Sequence, residues 1–295
     1  MKEDGCLFHL LTENDLPEIW ARQQRLHALS SEFDAFRLYA WQQWDRMEIS
    51  FWRAQFVLRF HLKGEPCYVA PYETEDFPEL LMQLMDHERA QGGRQLLFMK
   101  VENDTLPFPE TFTASPRREY YDYLYDAQAL IHMQGRSYAA KRNQISQFKR
   151  KYSWRFEPLT PENGDACLQV LNAWDHVHQG ASVDAERVAI KRMLSLREDY
   201  GQCGGVLFAN ETPVAFSIGS HSRPALLDII AEKALPEYIG AYSMIIQSFA
   251  AYAYERAPFT YINREEDMGL ENLRNAKLQL KPIRLIERTL MSTPL

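Results

Sequence analysis

The chain lacks any apolar run of the roughly eighteen residues that a bilayer-crossing helix needs, so nothing in it is expected to span a membrane. A secretory start is not expected either: MKEDGCLFHLL carries two acids before any apolar run. Cysteine is scarce. Cys6, Cys67, Cys167 and Cys203 are far apart, form no CxxC pair and offer no disulfide lattice, and a reducing, cytoplasmic setting is the simplest reading. Glycine (13) and proline (15) are too few for a collagenous or low-complexity chain. A net charge of −7 argues against wholesale coating of nucleic acid. What is present is globular: 46% hydrophobic and 25% charged, with enough apolar mass across 295 residues for one large domain or two smaller ones.

The charge is unevenly placed. Residues 1–135 sum to −9 and residues 156–295 to −5, whereas residues 136–155 hold seven cations and no acid. These are Arg136, Lys141, Arg142, Lys149, Arg150, Lys151 and Arg155. Such an island suits phosphate, or is a solvated helix face. Tyr138, Ile145, Phe148 and Tyr152 recur there at helical spacing, and Lys141 falls on the same stripe, where a charge needs a partner.

Two weak internal matches suggest a duplication. Leu11-Thr12 aligns with Leu159-Thr160, and Pro66 with Pro213, at offsets of 148 and 147 residues. The expected organisation is an N-terminal domain over 1–135, a basic linking helix over 136–155, and a C-terminal domain over 156–295. In the second copy, periodicity and turn residues predict the order β-α-α-β-β-β-α-β-α-β, with a hairpin around Asn210-Glu211 and a helix opening at Gly240. That order resembles the GNAT acyltransferase fold. The first copy is less regular and shows no cofactor loop. Phe33, Phe36, Ala40, Trp41 and Trp44 repeat at helical spacing in it, as core or as a stacking cleft.

Three segments carry a more specific resemblance: the stretch ending KRNQISQFKRKY, then EKALPEYIGAYSMIIQSF, then YINREEDMGLENLRNAKLQLKP. They are similar to a family of bacterial proteins related to the C-terminal catalytic region of phosphatidylglycerol lysyltransferases. The resemblance covers almost the whole chain. It implies an α/β (α+β) architecture of two tandem GNAT-like domains with mixed, mostly antiparallel sheets, related to the Fem peptidyltransferases. It implies no particular substrate, and lipid lysylation is not carried over with it.

A GNAT site forms where two strands splay, and the free N–H groups of the next helix hold an anion. Here the splay should follow ALLDIIAEKAL. The acyl-CoA signature is degenerate: Glu237-Tyr238-Ile239-Gly240-Ala241-Tyr242 keeps one glycine, with Glu in place of the polar or basic first residue and Tyr in place of the last small one. Gly240, Ala241 and Tyr242, with Lys141, Arg142 and Lys277, are the expected donor-binding residues. Glu232, Asn263 and Glu265 are the candidate catalytic residues, Glu232 as a base whose neighbour Lys233 should face away. Alternation along Asn263-Arg264-Glu265-Glu266-Asp267 should put Asn263, Glu265 and Asp267 on one face. Asp175, His176 and His178 do not converge, so no metal is expected. Gly201-Gln202-Cys203-Gly204-Gly205 has no following Lys-Ser/Thr and is no P-loop.

The expected function is acyl or aminoacyl transfer from acyl-CoA or aminoacyl-tRNA to a small-molecule or peptide acceptor bearing an amine or hydroxyl. The alternative is a non-catalytic binding protein that kept the fold.

Overall fold

A computed structural model of the chain describes residues 7–70, 76–102, 106–175, 181–195 and 198–295. His176 and His178 lie outside the described residues. In the first half, β1 (His9–Leu10), α1 (Leu16–Gln23) and α2 (Ala35–Asp45) precede β2 (Glu48–Trp52), β3 (Gln55–Leu62) and β4 (Glu65–Val69). Then come α3 (Phe77–Ala90), β5 (Gln95–Val101), β6 (Thr113–Pro116), β7 (Asp122–Asp126), α4 (Ala127–His132) and α5 (Ala139–Lys151). The second half runs β8 (Trp154–Pro158), α6 (Gly164–Asp175), α7 (Ala181–Ser195), β9 (Gln202–Ala209), β10 (Thr212–Arg223) and β11 (Leu226–Ala234). It ends with α8 (Ala241–Arg256), β12 (Tyr261–Asn263), α9 (Glu271–Gln279), β13 (Arg284–Ile286) and β14 (Arg288–Pro294).

Two seven-stranded sheets result, ordered β1-β2-β3-β4-β5-β14-β6 and β8-β9-β10-β11-β12-β7-β13. Each is antiparallel except for one parallel pair, β4 with β5 and β11 with β12, at the same place in the two orders. A GNAT-like arrangement is therefore present twice, in tandem. The sixth strand of each sheet is supplied from across the chain: β14 lies between β5 and β6 in the first sheet and β7 joins the second. The segment 282–292, the last strand of the expected order, divides at Glu287 between the two sheets. The sheets thus do not divide where residues 136–155 divide the sequence. Nor is α5 a free linker, because Ile145 and Phe148 are buried in one cluster with Met244, Ile245 and Phe249 of α8.

The order of strands also sorts the two internal matches. Leu11 and Leu159 each follow the first strand of their sheet, so that match joins equivalent places. Pro66 opens the fourth strand of one sheet and Pro213 the third strand of the other, so the second match is one strand out of step. A proline early in a hairpin strand is a local signal that many strands share.

The second sheet is covered on both faces, which is why β10 reads as nearly continuous burial. Leu207, Ala215 and Ile229 pack on α8, whereas Val206, Phe216, Ile218 and Ile230 pack on α6 and α7. Phe36 and Ala40 of α2 enter this second core, while Phe33, just ahead of them, enters the first. The stripe expected as core is core at these positions. Burial of a side chain the size of Phe33 or Phe36 contributes about 1.5–3 kcal/mol. A buried ionic seam joins the units as well. Arg288 of β14 donates to Asp122 Oδ1 of β7 at 2.7 Å and to Glu32, and Arg223 of β10 donates to the Ser30 carbonyl ahead of α2 at 2.9 Å.

Candidate functional site

The parallel pair β11–β12 is short. Its register covers only Leu226–Asp228 against Tyr261–Asn263, and β11 then runs on to Ala234 paired with β10 but no longer with β12. A cavity of about 860 Å³ opens beside this splayed end. Its walls come from β11, the start of α8, the loop after β12, α9, α5 and α2, so both halves of the sequence line it.

Glu232 lies in this cavity, as expected. Its Oε2 accepts from Ser217 Oγ at 3.2 Å and its Oε1 accepts from Arg264. Burial pushes its pKa up, and Arg264 and Ser217 pull against that rise. Lys233, expected to face away, also lines the cavity; it pairs with Glu186 of α7 at 2.9 Å, with its ammonium 3.8 Å from the Trp174 ring centroid.

The polar segment after β12 departs from strand alternation. The strand stops at Asn263, and Glu265 takes a left-handed backbone with φ +53°. Three consecutive side chains, Arg264, Glu265 and Glu266, consequently line the cavity. Glu265 Oε1 accepts from Arg37 Nε at 2.6 Å, and burial pushes the carboxyl up to about 8 against the pull of Arg37. Glu266 Oε2 is buried without a hydrogen-bond partner among the described residues.

Asn263 does not line the cavity. It is fully buried, donating to Leu29 O at 2.8 Å and Asp122 Oδ2 at 3.0 Å, and its Oδ1 accepts from the Glu265 amide at 2.7 Å. It shapes the turn rather than facing a ligand. Asp267, expected on the same face, is a separate buried hub. It accepts from Tyr123 Oη at 2.6 Å, Arg118 at 3.0 Å, Arg274 Nε at 2.8 Å and the Gly269 amide at 2.9 Å. Burial alone would raise its pKa; these bonds, led by Arg274 and Tyr123, hold it well below the usual carboxylate range.

Among the expected donor-binding residues, Gly240, Tyr242, Lys141 and Lys277 line the cavity. Lys277 of α9 donates to the carbonyls of Arg264 and Glu265, the second at 3.2 Å, and so holds the turn. Burial, reinforced by Arg264, brings its ammonium down to about 8. Lys141 is half-buried, its Nζ 3.5 Å from Gln279 Oε1, and burial lowers its pKa. Arg142 lies apart from the cavity, donating to the carbonyls of Met133 and Gly135 at 2.6 Å each and so closing the end of α4. Ala241 is buried, its amide bonded to Tyr238 O at 2.9 Å.

Gly240 caps α8 with φ +92°. A methyl there would come within 2.9 Å of the Gln144 carbonyl carbon and nearer still to its oxygen, because α5 lies directly against this turn. Ser243 Oγ, in the first turn of α8, is 2.6 Å from Gln144 Oε1. The place where a GNAT helix would present its N-terminus to a pyrophosphate is therefore crossed by α5. Ile239, 57% exposed, links the cavity to a second depression of about 310 Å³, lined also by Gln147, Arg150 and Lys151.

Arg37, Trp41, Arg264 and Glu266 line the site and were not among its expected residues. Arg37 had a signal: it falls on the helical stripe of Phe33, Phe36, Ala40 and Trp41, the same kind of charge within apolar spacing that singled out Lys141. Trp41 packs partly against the core and lines the cavity; the Trp44 side chain lies outside the described residues. Among the described residues, no group of three or more His, Cys, Asp or Glu is arranged to hold a metal, and no helix is long and apolar enough to cross a membrane.

No curated protein sequence matches the chain. Among solved structures, a conserved protein of unknown function from Bacteroides thetaiotaomicron is 28% identical, with 98% of this chain and 99% of that one covered and a TM-score of 0.90. The L-PGS structure from Bacillus licheniformis is 15% identical, with 99% and 94% covered and a TM-score of 0.69. A tandem GNAT protein from the clavulanic acid biosynthesis pathway shares the fold at 9% identity, with 98% of each chain covered and a TM-score of 0.51. The family model described as phosphatidylglycerol lysyltransferase, C-terminal, matches residues 24–291, and with the repeated fold and the cavity at its second splay in place, the chain belongs to that family.

Proposed function

We propose that the chain is an aminoacyltransferase that takes its acyl group from an aminoacyl-tRNA. The observation that carries this reading is the position of α5. Its packing against Gly240 and Ser243 obstructs the pyrophosphate cradle of an acyl-CoA enzyme, and Glu237 and Tyr242 replace the expected signature residues; the site does not fit acyl-CoA. The same packing sets Arg150 and Lys151 beside Ile239, at the edge of the cavity. A cationic face leading to a cavity suits a phosphodiester strand whose 3′ end carries the ester.

In this reading an amine or hydroxyl of the acceptor attacks the ester carbonyl. A new amide or ester bond forms, the bond to the ribose oxygen breaks, and the acceptor's proton ends on the ribose hydroxyl. Glu265 is the group that relays this proton. Glu232 has both oxygens engaged, whereas Glu265 has only Oε1 engaged among the described residues, leaving Oε2 to the cavity. A carboxyl near pKa 8 is basic enough to accept a proton in the transition state. Direct transfer needs orientation more than a covalent nucleophile.

Filter binding with a mixture of aminoacylated tRNAs tests the reading. Retention should fall steeply with salt, and Arg150→Glu with Lys151→Glu should flatten the log–log slope by about 1.4–1.8, the loss of two phosphate contacts. Absence of retention at low salt refutes the tRNA donor. A thermal shift with CoA and none with tRNA would restore acyl-CoA.

A further inference from the structure

We infer that Arg37, from the first unit, is the positioning residue that holds the Glu265 carboxylate at the wall of the second unit's cavity. The inference rests on the reading of Glu265 as the proton relay. Its basis is how differently the backbone and the side chain of Glu265 are held. The left-handed turn is fixed without Arg37: Asn263 Oδ1 accepts from the Glu265 amide at 2.7 Å, Lys277 Nζ donates to its carbonyl at 3.2 Å, and the Tyr123 amide donates to the same carbonyl at 3.3 Å. The carboxylate has one side-chain partner among the described residues, Arg37 Nε at 2.6 Å.

Arg37 is itself held for this task. It stands in the first turn of α2, where Asp34 caps the helix by accepting from the Arg37 amide at 2.7 Å. Its side chain has 10% exposure, and Nη1 is 4.0 Å from Glu32 Oε1, a carboxylate already engaged by Arg288. Trp41, one turn along the same helix face, lines the cavity with it. The first half of the chain therefore contributes a guanidinium and an indole to a site where Glu232, Glu265 and Glu266 come from the second. The other charges bearing on this pair include Glu266 on the same loop, Lys277 from α9, Glu32 ahead of α2, Asp122 of β7 and Arg288 of β14. Of these, Glu266 disfavours ionisation of Glu265 and Lys277 favours it. Removing Arg37 leaves the like-charged neighbour in place and withdraws the nearest cation.

The test is a carbon-detected NMR titration of the full-length protein carrying ¹³C-labelled glutamate, with Glu265→Gln used to assign the resonance. Arg37→Met should raise the Glu265 midpoint by roughly 1–3 pH units, and Arg37→Lys should keep it within about half a unit of the parent. The Glu265 amide resonance should stay in place in both variants, because the backbone bonds remain; a merely structural role would move it. Should Arg37→Met fail to fold, Arg37→Gln, which keeps a donor and removes the charge, is read in its place. An unchanged midpoint in the neutral variants, or a Lys variant that shifts as far as the Met variant, overturns the assignment. The titration needs no substrate. Failure of the tRNA binding above would withdraw the transfer reading and leave this measurement standing, while an unchanged midpoint would sink the role of Arg37 with the transfer reading intact.

Discussion

Gly240→Ala tests the packing on which the donor assignment depends. Two costs are added at this position. A side chain at φ +92° enters left-handed backbone, which disfavours L-residues by roughly 1–2 kcal/mol. The new methyl also meets the Gln144 carbonyl and lies 3.1 Å from Phe148 Cβ, so α5 must move away from α8, an overpacking cost of about 1–3 kcal/mol. The sum is about 2–5 kcal/mol. For a chain of this size, each kcal/mol lowers Tm by roughly 2 °C, which gives a fall of about 4–10 °C in a thermal melt. Gly92→Ala is the control. Gly92 has φ +79° with nothing within 4 Å of the added methyl, so it carries the backbone cost alone. Gly240→Ala should therefore melt below Gly92→Ala. Equal melting temperatures would mean that α5 does not press on the cap of α8, and the argument against an acyl-CoA cradle would fall with that contact.

Two further outcomes follow from buried carboxylates. Burial pushes Asp228 up to about 7, so the folded chain holds a proton that the unfolded chain releases near pH 4; stability should fall as pH rises across roughly 4–7, and Asp228→Asn should flatten that slope in urea titrations at several pH values. Asp267 behaves oppositely, held low by Arg274 and Tyr123, so its contribution is present above about pH 4 and is lost as pH falls below it; Asp267→Asn should cost about 2–3 kcal/mol at pH 7, and no loss of stability there would contradict the hub.

The parts of the site legible in the sequence are those set by local chemistry. The turn into α8 could be read because a glycine opens a long helical pattern just after a strand-like run, and Glu232 could be placed because it ends that run. The basic helix was visible as a charge run on an apolar period, and Lys141 stood out because its position in that period conflicts with its charge. Arg37 broke the pattern of its own stripe in the same way. What failed was alternation beyond Asn263. A period of two holds only while the backbone stays extended, and Glu265 leaves that region because Asn263, Lys277 and the Tyr123 amide hold it in a turn. Tyr123 and Lys277 are far from Glu265 in sequence, and no local signal at residues 263–267 announces them.

The exchanged strands have the same origin. The two apolar segments 283–286 and 288–291 differ little in composition, and nothing in either fixes which sheet it joins; pairing is settled by the partner edges that the rest of the fold leaves open. The exchange has a consequence for the cavity. β7 and β14 each reach the opposite sheet, and the charges they bury there, Asp122 and Arg288, bond to each other at 2.7 Å. Asp122 Oδ2 also accepts from Asn263, whose Oδ1 fixes the turn at Glu265, while Arg288 also bonds Glu32, beside Arg37. A buried charge stripped of its partner is costly, so neither strand can leave its host sheet without disturbing this chain of bonds. The path from the exchanged strands to the cavity wall is thus a continuous series of buried polar contacts, and the geometry of Glu265 depends on both halves of the sequence being docked.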